Sequence, residues 1–398
     1  MPAMSASIEN QKVRPPIPRL PVLGWNTLEG ARHSTIPCIL EHAAIKFTTS
    51  GRASILLALE MLGIKAGDKV LVPTYHCPTM VAPIVALGAK PVFYPINAVG
   101  GIDFDWLAQQ DLLNIRVILA AHFFGLPQPM GDLRHWCDTH QIILIEDCAH
   151  ALFGSTEGRP IGSWGDLAIA SLSKFLPVTE GGCLTINIPS TNMPAQTRTG
   201  VLRQIKAAID IVHLGTIFKR FYGLNTALAG TFSLVNTPRK KLRNIRSTNE
   251  TTSAGVDNLE GFSIDVPLSH QALTLPCRWL AKHSPRARIV EQRRKHFALF
   301  LKAFADHPNV RPLVKSLPEN CAPYVFPLWV ADPDPGYLAL REMGIPLSRW
   351  DRPWPNVPII AGDQGGLWSH HILQLPCHQD LSPEDMGILV REIRRAYH

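Results

Sequence analysis

Two stretches decide the fold: ILIEDCAH at residues 143–150 and SLSKFLPVTEGG at residues 171–182. The first is a short apolar run that ends in a carboxylate, Asp147. The second places Lys174 directly after another apolar run. In open α/β sheets, ligands bind at the carboxyl ends of the parallel strands. We therefore expect Asp147 and Lys174 to face one ligand site at the edge of such a sheet.

Outward from these stretches, β-rich runs alternate with helical patterns. Strands are predicted at 69–73, 90–95, 116–121, 142–146, 167–171 and 183–187, and the clearest helices at 52–62 and 130–140. Apolar strands separated by helices indicate an α/β fold with a parallel sheet buried on both faces. Beyond residue 260 we expect a long helix in RARIVEQRRKHFALFLKAF, a strand in VFPLWV and a last helix starting at Ser382.

The length of 398 residues and the hydrophobic content of 46% predict a large core and two domains. A polar stretch near 247–257 is the expected linker. We therefore predict a large domain at 1–250, with a basic helical insertion at about 190–250, and a small C-terminal α/β domain at 258–398.

Charge and cysteine content exclude several classes of protein. The net charge of +7 is concentrated in residues 201–246, which hold nine Lys or Arg and one acid, Asp210. This argues against a surface built for nucleic acid. The eight cysteines lack zinc-site spacing, so we expect reduced thiols and no metal site. The first residues resemble no signal peptide, and no apolar run is long enough to span a membrane, which predicts a cytoplasmic protein.

Lys174 and Asp147 together suggest pyridoxal-phosphate chemistry. In that chemistry a lysine forms the Schiff base, and an acid keeps the pyridine nitrogen protonated so that the ring accepts electrons. The alternative is that Asp147 caps a loop and Lys174 is a solvated surface residue.

The surrounding motifs decide between these interpretations, because the chain resembles the DegT/StrS family of sugar aminotransferases from about Thr48 to the C-terminus. The motifs that carry the resemblance are GDKVLVP (67–73), GAKPVFYPI (88–96), HFFGLPQPM (122–130), EDCAH (146–150), GRPIGSWGD (158–166), the spacing from Lys174 to EGG (180–182), and LPCHQDL (375–381). Each motif is weak alone. Their order and spacing together make a chance match improbable.

This resemblance implies the type I fold of pyridoxal-phosphate transferases, with a mostly parallel seven-stranded sheet in the large domain and a small C-terminal α/β domain. It also implies a homodimer with shared active sites. The implied reaction moves an amino group from glutamate or glutamine to a keto-sugar nucleotide, in polysaccharide or glycosylated-metabolite biosynthesis. The alternatives are a transaminase or dehydratase acting on a non-sugar substrate, and a catalytically silent regulator. Related dehydratases carry histidine at the lysine position, so Lys174 disfavours a dehydratase.

The resemblance also implies residues that bind the cofactor phosphate. The family's S-G-T-A turn at a helix start corresponds to Ser50, Gly51, Arg52 and Ala53. Arg52 replaces the usual threonine, and its side chain either contacts phosphate or points to solvent. Ser171 is a further candidate, although the family's serine lies five residues before the lysine and Ser171 lies three before it.

Two assignments around the cofactor ring differ from the family pattern. An aromatic residue is expected four positions after Pro73, where this chain has Cys77. We assign the stacking role to His76, with Tyr75 or Cys77 as alternatives. His150, where the family often has glutamine, is assigned to the cofactor's phenolic oxygen. The alternative for His150 is a core histidine bonded to backbone.

The basic segment 201–246 allows three interpretations. Its cations bind the diphosphate of a nucleotide substrate, form an amphipathic contact with a membrane surface, or line a solvated helix face.

Overall fold

The computed structural model describes residues 16–189, 195–232 and 263–398. The strands of its first half are β1 (Ile45–Thr48), β2 (Lys69–Pro73), β3 (Lys90–Tyr94), β4 (Ile115–Ala121), β5 (Ile143–Cys148), β6 (Ser155–Thr156), β7 (Arg159–Pro160), β8 (Leu167–Ser171) and β9 (Gly182–Ile186). Seven of them form one sheet in the order β1-β9-β8-β5-β4-β2-β3, and β6 and β7 form a separate hairpin.

The sheet is mostly parallel, which confirms the predicted α/β class. β8, β5, β4, β2 and β3 run parallel to one another, whereas β9 is antiparallel to both of its neighbours, β8 and β1. The antiparallel strand has a simple cause. β9 follows β8 after the short connection that contains Lys174, and a parallel strand would need a crossover of a dozen or more residues.

Helices cover both faces of this sheet. Those of the first half are α1 (Gly51–Met61), α2 (Pro78–Ala86), α3 (Phe104–Ala108), α4 (Gly131–His140) and α5 (Val201–Ile217), and residues 225–232 are also helical. On one face, α1 and α2 pack on the strands through residues such as Leu57, Val81 and Val117. The opposite face belongs to a larger core that includes Cys137 and Leu144 and, from the C-terminal half, Cys277, Leu280 and Ile289.

The C-terminal half adds a small antiparallel sheet in the order β10-β11-β12, formed by β10 (Val310–Pro312), β11 (Val325–Val330) and β12 (Ile372–Pro376). Its helices are α6 (Val266–Ser269), α7 (Leu275–His283), α8 (Arg286–Phe304), α9 (Gly336–Glu342), α10 (Gly365–His371) and α11 (Pro383–Ala396). Phe297 and Phe300 of α8 and Ile393 of α11 form a second core with this sheet. Ser382 caps α11, as the sequence predicted.

The two sheets are joined by shared packing. Tyr324 and Trp368 of the C-terminal half belong to the larger core of the main sheet. Asp363 Oδ1 also accepts hydrogen bonds from the Thr74 hydroxyl and the Ile96 amide, each at 2.9 Å. The boundary predicted near 247–257 lies outside the described residues, so the division into two domains remains a prediction.

The described part of the basic segment packs on the protein. Three of its cations form ion pairs: Arg203 with Glu180, Lys206 with Asp210, and Arg220 with Asp385. These three cations are therefore partly neutralised by acids of the protein itself. Arg239, Lys240, Lys241 and Arg243 lie outside the described residues. Within the described ranges, no helix is long and apolar enough to cross a bilayer.

Two adjacent glycines of α10 offer a test of how tightly the halves are joined. A Cβ added to Gly365 would lie 2.2 Å from Thr74 Oγ1 and 2.9 Å from the Tyr75 amide, whereas one on Gly366 meets nothing within 4 Å. We expect Gly365→Ala to lower the free energy of unfolding by about 1–3 kcal/mol, because the loop after β2 must move. Gly366→Ala, the matched control, should raise it by up to about 1 kcal/mol through helix propensity. Denaturant titration of both variants decides this, and equal stabilities would contradict the described contact.

Candidate active site

A cavity of about 270 Å³ lies where the strands of the parallel sheet end. Seven of the eight residues assigned from the sequence line it: Ser50, Gly51, Arg52, Asp147, His150, Ser171 and Lys174. Further lining residues come from other elements: Cys77, His122, Phe123, Asp265, Leu268 and Trp350. His76 is not among them.

Asp147 is nearly buried at the end of β5. Its Oδ1 accepts a hydrogen bond of 2.8 Å from the Ala149 amide. Burial raises the pKa of Asp147, while that hydrogen bond and the charge of Lys174 lower it. A buried carboxylate in this position is most stable when a further cationic group enters the cavity.

Lys174 ends the 3-10 turn Leu172–Lys174 that follows β8, and its Nζ lies 5.4 Å from the ring centroid of Tyr324. Burial lowers the pKa of Lys174, although nearby Cys77 and Asp147 raise it. A lowered pKa increases the fraction of neutral amine, the form that attacks a carbonyl carbon. The sequence expectation of a solvated surface lysine does not describe this position.

The turn before α1 lies against the start of β9. Ser50 caps α1 by accepting a 3.1 Å hydrogen bond from the Ala53 amide, and it bridges to Gly181. A Cβ on Gly182 would lie 2.4 Å from the Ser50 carbonyl carbon, so this close approach requires glycine. The first turn of a helix presents free amides and a positive dipole end, which suits an anion such as phosphate.

The Arg52 guanidinium lines the same cavity and donates a hydrogen bond to the backbone oxygen of Ser263. It therefore joins the start of α1 to the segment that leads into α6. Neither sequence alternative, phosphate contact or solvent exposure, anticipated this backbone contact.

His150 lies between two aromatic rings, with centroids 4.5 Å from Tyr324 and 4.8 Å from Trp350. Its Nδ1 accepts a hydrogen bond from the Phe124 amide, and burial lowers its pKa well below the usual value. The ring is therefore neutral, with its proton on Nε2. A neutral histidine with a free N–H can donate to an oxygen of a ligand in the cavity.

The geometry corrects the assignment of His76. Its ring is buried and stacks on Phe93, with centroids 5.1 Å apart. Its Nδ1 lies 2.9 Å from the Pro73 oxygen, and its Nε2 accepts a hydrogen bond from the Trp354 amide. The ring is thus fixed away from the cavity by backbone on both sides.

Cys77 occupies the cavity wall in place of His76. It is the N-cap residue of α2, and its Sγ accepts a hydrogen bond from the Thr79 hydroxyl at 3.1 Å. The family pattern has an aromatic residue at this position. In this chain the position still lines the cavity, but the residue is cysteine. Trp350 and Tyr324 supply aromatic rings from the C-terminal half, and no local motif identifies either of them.

A buried, hydrogen-bonded pair of side chains, His122 and Glu146, lies next to Asp147. His122 Nδ1 accepts from the Gln128 amide, so its Nε2 donates to Glu146 Oε1 at 2.9 Å. Glu146 also accepts from three backbone amides, those of Gly162, Trp164 and Gly165. Burial alone would raise the pKa of Glu146, but these hydrogen bonds and the contact with His122 lower it overall. With Cys148 these two side chains are close enough for a metal, yet their hydrogen bonds already hold them.

Three groups of the cavity fit pyridoxal phosphate. The cofactor brings an aldehyde, a pyridine nitrogen and a phosphate, and the cavity offers an amine, a buried carboxylate and a helix N-terminus. The pKa of Asp147 is raised by burial, and a protonated pyridine nitrogen is the cationic partner that would lower it. Lys174, Asp147 and Gly51 would therefore hold the three parts of the cofactor.

Comparison with known proteins agrees with this geometry. Residues 40–207 match the DegT/DnrJ/EryC1/StrS aminotransferase family. The match covers less than half of the chain, and within residues 40–207 the sequence is similar to this family. The match contains α1, the main sheet and both Asp147 and Lys174, and it confirms the resemblance identified from the motifs.

Curated relatives in the family match a limited part of the chain. GDP-perosamine synthase of Vibrio cholerae is 32% identical over 142 residues, which are 35% of this chain and 39% of that protein. The L-glutamine:2-deoxy-scyllo-inosose aminotransferase of Streptomyces kanamyceticus is 34% identical over 137 residues, which are 34% of this chain and 32% of that protein. The chain thus aligns with less than half the length of these relatives.

Among solved structures, the PLP-form of the sugar aminotransferase Spr1654 from Streptococcus pneumoniae superimposes with a TM-score of 0.60. The superposition covers 90% of this chain and 88% of that one at 18% sequence identity. At this identity the superposition shows the fold alone, and it includes most of the C-terminal half.

Buried neutral histidines predict a pH dependence of stability. Burial lowers the pKa of His76 to about 4 and those of His150 and His378 well below 6.5. The unfolded chain therefore takes up protons first as the pH drops, and stability falls below about pH 6.5. His150→Asn should reduce this slope by up to about 1.4 kcal/mol per pH unit. Unfolding free energies between pH 7 and 5 test this, with a variant of the exposed His135 as control. An unchanged slope in His150→Asn would contradict the buried, neutral state.

Arg293 connects the lysine turn to the C-terminal half. Its buried guanidinium donates to the carbonyl oxygens of Lys174 (2.8 Å), Pro323 (2.9 Å) and Tyr324 (3.1 Å) and to Gln379 Oε1 (2.9 Å). Burial lowers the pKa of Arg293 to about 10, so the group stays charged at neutral pH.

We expect Arg293→Lys to lower the free energy of unfolding by at least about 2 kcal/mol. An ammonium group cannot reproduce the planar set of donors, and buried carbonyls then lose their partners. Arg294→Lys is the matched control, because the adjacent Arg294 donates to the Pro318 and Cys321 oxygens from a less buried position. Denaturant titrations of the two variants should differ clearly. Equal losses would mean that Arg293 has no special structural role.

Proposed function

We propose that the protein is a pyridoxal-phosphate-dependent aminotransferase that moves an amino group from glutamate or glutamine to a keto-sugar nucleotide. The observation that supports this best is the single cavity that holds Lys174, Asp147 and the start of α1 together. When bound, the cofactor supplies an electron sink for breaking a C–H bond next to nitrogen.

The roles of the residues follow from their environment. Lys174 would hold the cofactor covalently until the amino donor takes its place, and the amine released in that exchange would be the base that takes a proton from the α-carbon of the donor. Asp147 keeps the pyridine nitrogen protonated. His150 donates from Nε2 to the phenolic oxygen, and Trp350 and Cys77 limit the space around the ring. Ser50, Gly51, Arg52 and Ser171 surround the phosphate.

The substrate class rests on the relatives. One is named a GDP-perosamine synthase, another an aminotransferase of an inosose, and a third, from Acidithiobacillus ferrooxidans, an aminotransferase of a UDP-linked 3-dehydro sugar. Two of these names, the inosose and the 3-dehydro sugar, denote a ketone on a polyhydroxylated ring. We propose such a substrate, linked to a nucleotide, in polysaccharide or glycosylated-metabolite biosynthesis, and a homodimer as the active assembly.

The basic segment keeps two functional roles in this proposal, contact with the nucleotide diphosphate or with a membrane surface. Exposed Val201, Leu202, Ile205 and Ile209 on α5 favour an apolar contact for its described part, since Arg203 and Lys206 are already ion-paired. Association with anionic liposomes and the effect of ionic strength on the KM for a nucleotide sugar distinguish the two.

The decisive experiment is borohydride reduction in the presence of pyridoxal phosphate, followed by peptide mapping. The pyridoxyl group should be found on Lys174, and Lys174→Ala should lose both the label and turnover. Lys90→Ala is the control, because Lys90 is an exposed lysine at the start of β3. A label on another lysine, or an active protein without label, would overturn the mechanism.

Asp147→Asn is expected to impair the reaction in a different way from Lys174→Ala. It should keep the labelled lysine but slow turnover by about 30- to 100-fold, because a charged hydrogen bond to the ring nitrogen is lost. Single-turnover kinetics with glutamate measure this step. Loss of the label in Asp147→Asn would mean that the residue serves binding rather than reactivity.

The two alternative functions, a dehydratase and a catalytically silent relative, predict different results with the same purified protein. A dehydratase would release water from a hydroxylated substrate without consuming an amino donor. A catalytically silent relative would bind no cofactor or would show no turnover with any of the tested ketones.

A further inference from the structure

A second cavity, of about 480 Å³, lies beside β1, the edge strand of the main sheet. We call it the edge cavity. Its lining includes residues 45–47 of β1, three residues of α7 and the first residue of α8. None of its described lining residues lines the cavity that contains Lys174, and none belongs to the basic segment 201–246.

The lining of the edge cavity is positively charged. It includes four cations, Lys46, Arg278, Lys282 and Arg286, and none of its described residues is acidic. Arg286 pairs with Glu41, which lies outside the lining. Among the described residues, one acid for four cations leaves an excess of positive charge. A cleft lined by charges of one sign concentrates ions of the opposite sign.

Two of these charges are within reach of a ligand from solvent. Arg278 and Lys282 are exposed, and because they are four residues apart they lie on the same face of α7. The guanidinium carbon of Arg278 lies 5.6 Å from the ring centroid of Phe47, which places this charge over β1. Cations from the helix and Lys46 from the strand therefore border the same space.

Neutral side chains complete the lining. They include Ile45, Leu273 and Ala281, and Gln196, whose Nε2 donates to the Phe47 oxygen at 3.0 Å. Burial lowers the pKa of Lys46, because its ammonium group loses part of its hydration. An anion in the cavity would favour the charged form again. Its attraction to the cations is stronger beside an apolar wall than in bulk water.

The number of cations favours a diphosphate over a carboxylate as the anion. A carboxylate brings a single negative charge, whereas a diphosphate brings several and presents oxygens on both phosphorus atoms. A guanidinium group binds phosphate oxygens through parallel N–H groups, and a lysine ammonium acts as a movable point charge. The pair of Arg278 and Lys282 on one helix face combines both kinds of donor.

We propose that the edge cavity binds the diphosphate group of a ligand, with Arg278 and Lys282 as its main contacts. This inference does not depend on the proposed aminotransferase activity, since the two cavities share no described lining residue. They are nevertheless neighbours, because Phe47 lines one and Thr49 the other. The diphosphate therefore belongs either to the nucleotide of the substrate proposed above or to a separate molecule.

The test is isothermal titration calorimetry with inorganic pyrophosphate at constant ionic strength. It uses the full chain after loading with pyridoxal phosphate and removal of the excess. We expect saturable binding, with an affinity at least about tenfold lower in Arg278→Gln/Lys282→Gln, because charged hydrogen bonds to phosphate oxygens are lost.

Lys295→Gln/Lys302→Gln is the matched control. It removes the same net charge from exposed lysines of α8 that do not line the cavity. This variant should bind pyrophosphate as the unmodified protein does.

Titrations with UDP and GDP distinguish the two sources of the diphosphate. If it belongs to the nucleotide substrate, UDP or GDP should displace pyrophosphate and should bind more weakly to Arg278→Gln/Lys282→Gln. If it belongs to a separate molecule, pyrophosphate should bind and neither nucleotide should displace it.

The proposal is overturned if pyrophosphate does not bind, or if Arg278→Gln/Lys282→Gln binds it as tightly as the control variant. Should that double variant fail to fold, Lys282→Gln decides alone, since its side chain is exposed, and its affinity should fall at least about threefold. Failure of the aminotransferase proposal shows separately, as absence of the pyridoxyl label on Lys174.

Discussion

The fully buried Arg293 is the constraint on which the architecture of the site depends. Its guanidinium receives the backbone oxygens of Lys174 and of the two residues before β11, and the side-chain amide oxygen of Gln379. The guanidinium carbon of Arg293 also lies 4.4 Å from the ring centroid of Phe175, the residue after Lys174. A charge without a carboxylate partner is tolerated here because four hydrogen bonds replace its hydration. The lysine is therefore positioned by a helix more than a hundred residues away in the sequence.

Within the cavity, burial shifts the pKa values of Asp147 and Lys174 in opposite directions. It raises the pKa of Asp147 and lowers that of Lys174, so each side chain is pushed toward its neutral form. Their mutual attraction opposes both changes. The His122–Glu146 pair adds a fixed, hydrogen-bonded support behind Asp147 and leaves the carboxylate facing the cavity. A site arranged in this way is prepared for a ligand that brings its own charges.

The sequence predicted those features that repeat along the chain. Buried strands give unbroken apolar runs, so β2 to β5 and β8 were located to within one or two residues, and the ordered motifs identified the family. Contacts between distant residues left no such pattern. Arg293 is one arginine in a basic helix, and Trp350 lies in a Pro-rich loop, so neither signals its place at the site. His76 was assigned wrongly because the tight turn after β2 directs Cys77, and not its neighbour, into the cavity.

The core shared by the two sheets has a consequence for motion. Tyr324 and Trp368 are buried in the same cluster as the main sheet, and Asp363 bonds to the loops after β2 and β3. Rotation of one half against the other would expose this apolar cluster to water. A hinge motion that admits a molecule would therefore have a high free-energy cost. The cavity is already partly open to solvent, so a molecule can enter it without such a rotation, and α6 and Trp350 form part of its wall. Selection among incoming molecules is accordingly a property of those two short segments, and the rest of the protein serves as a rigid frame.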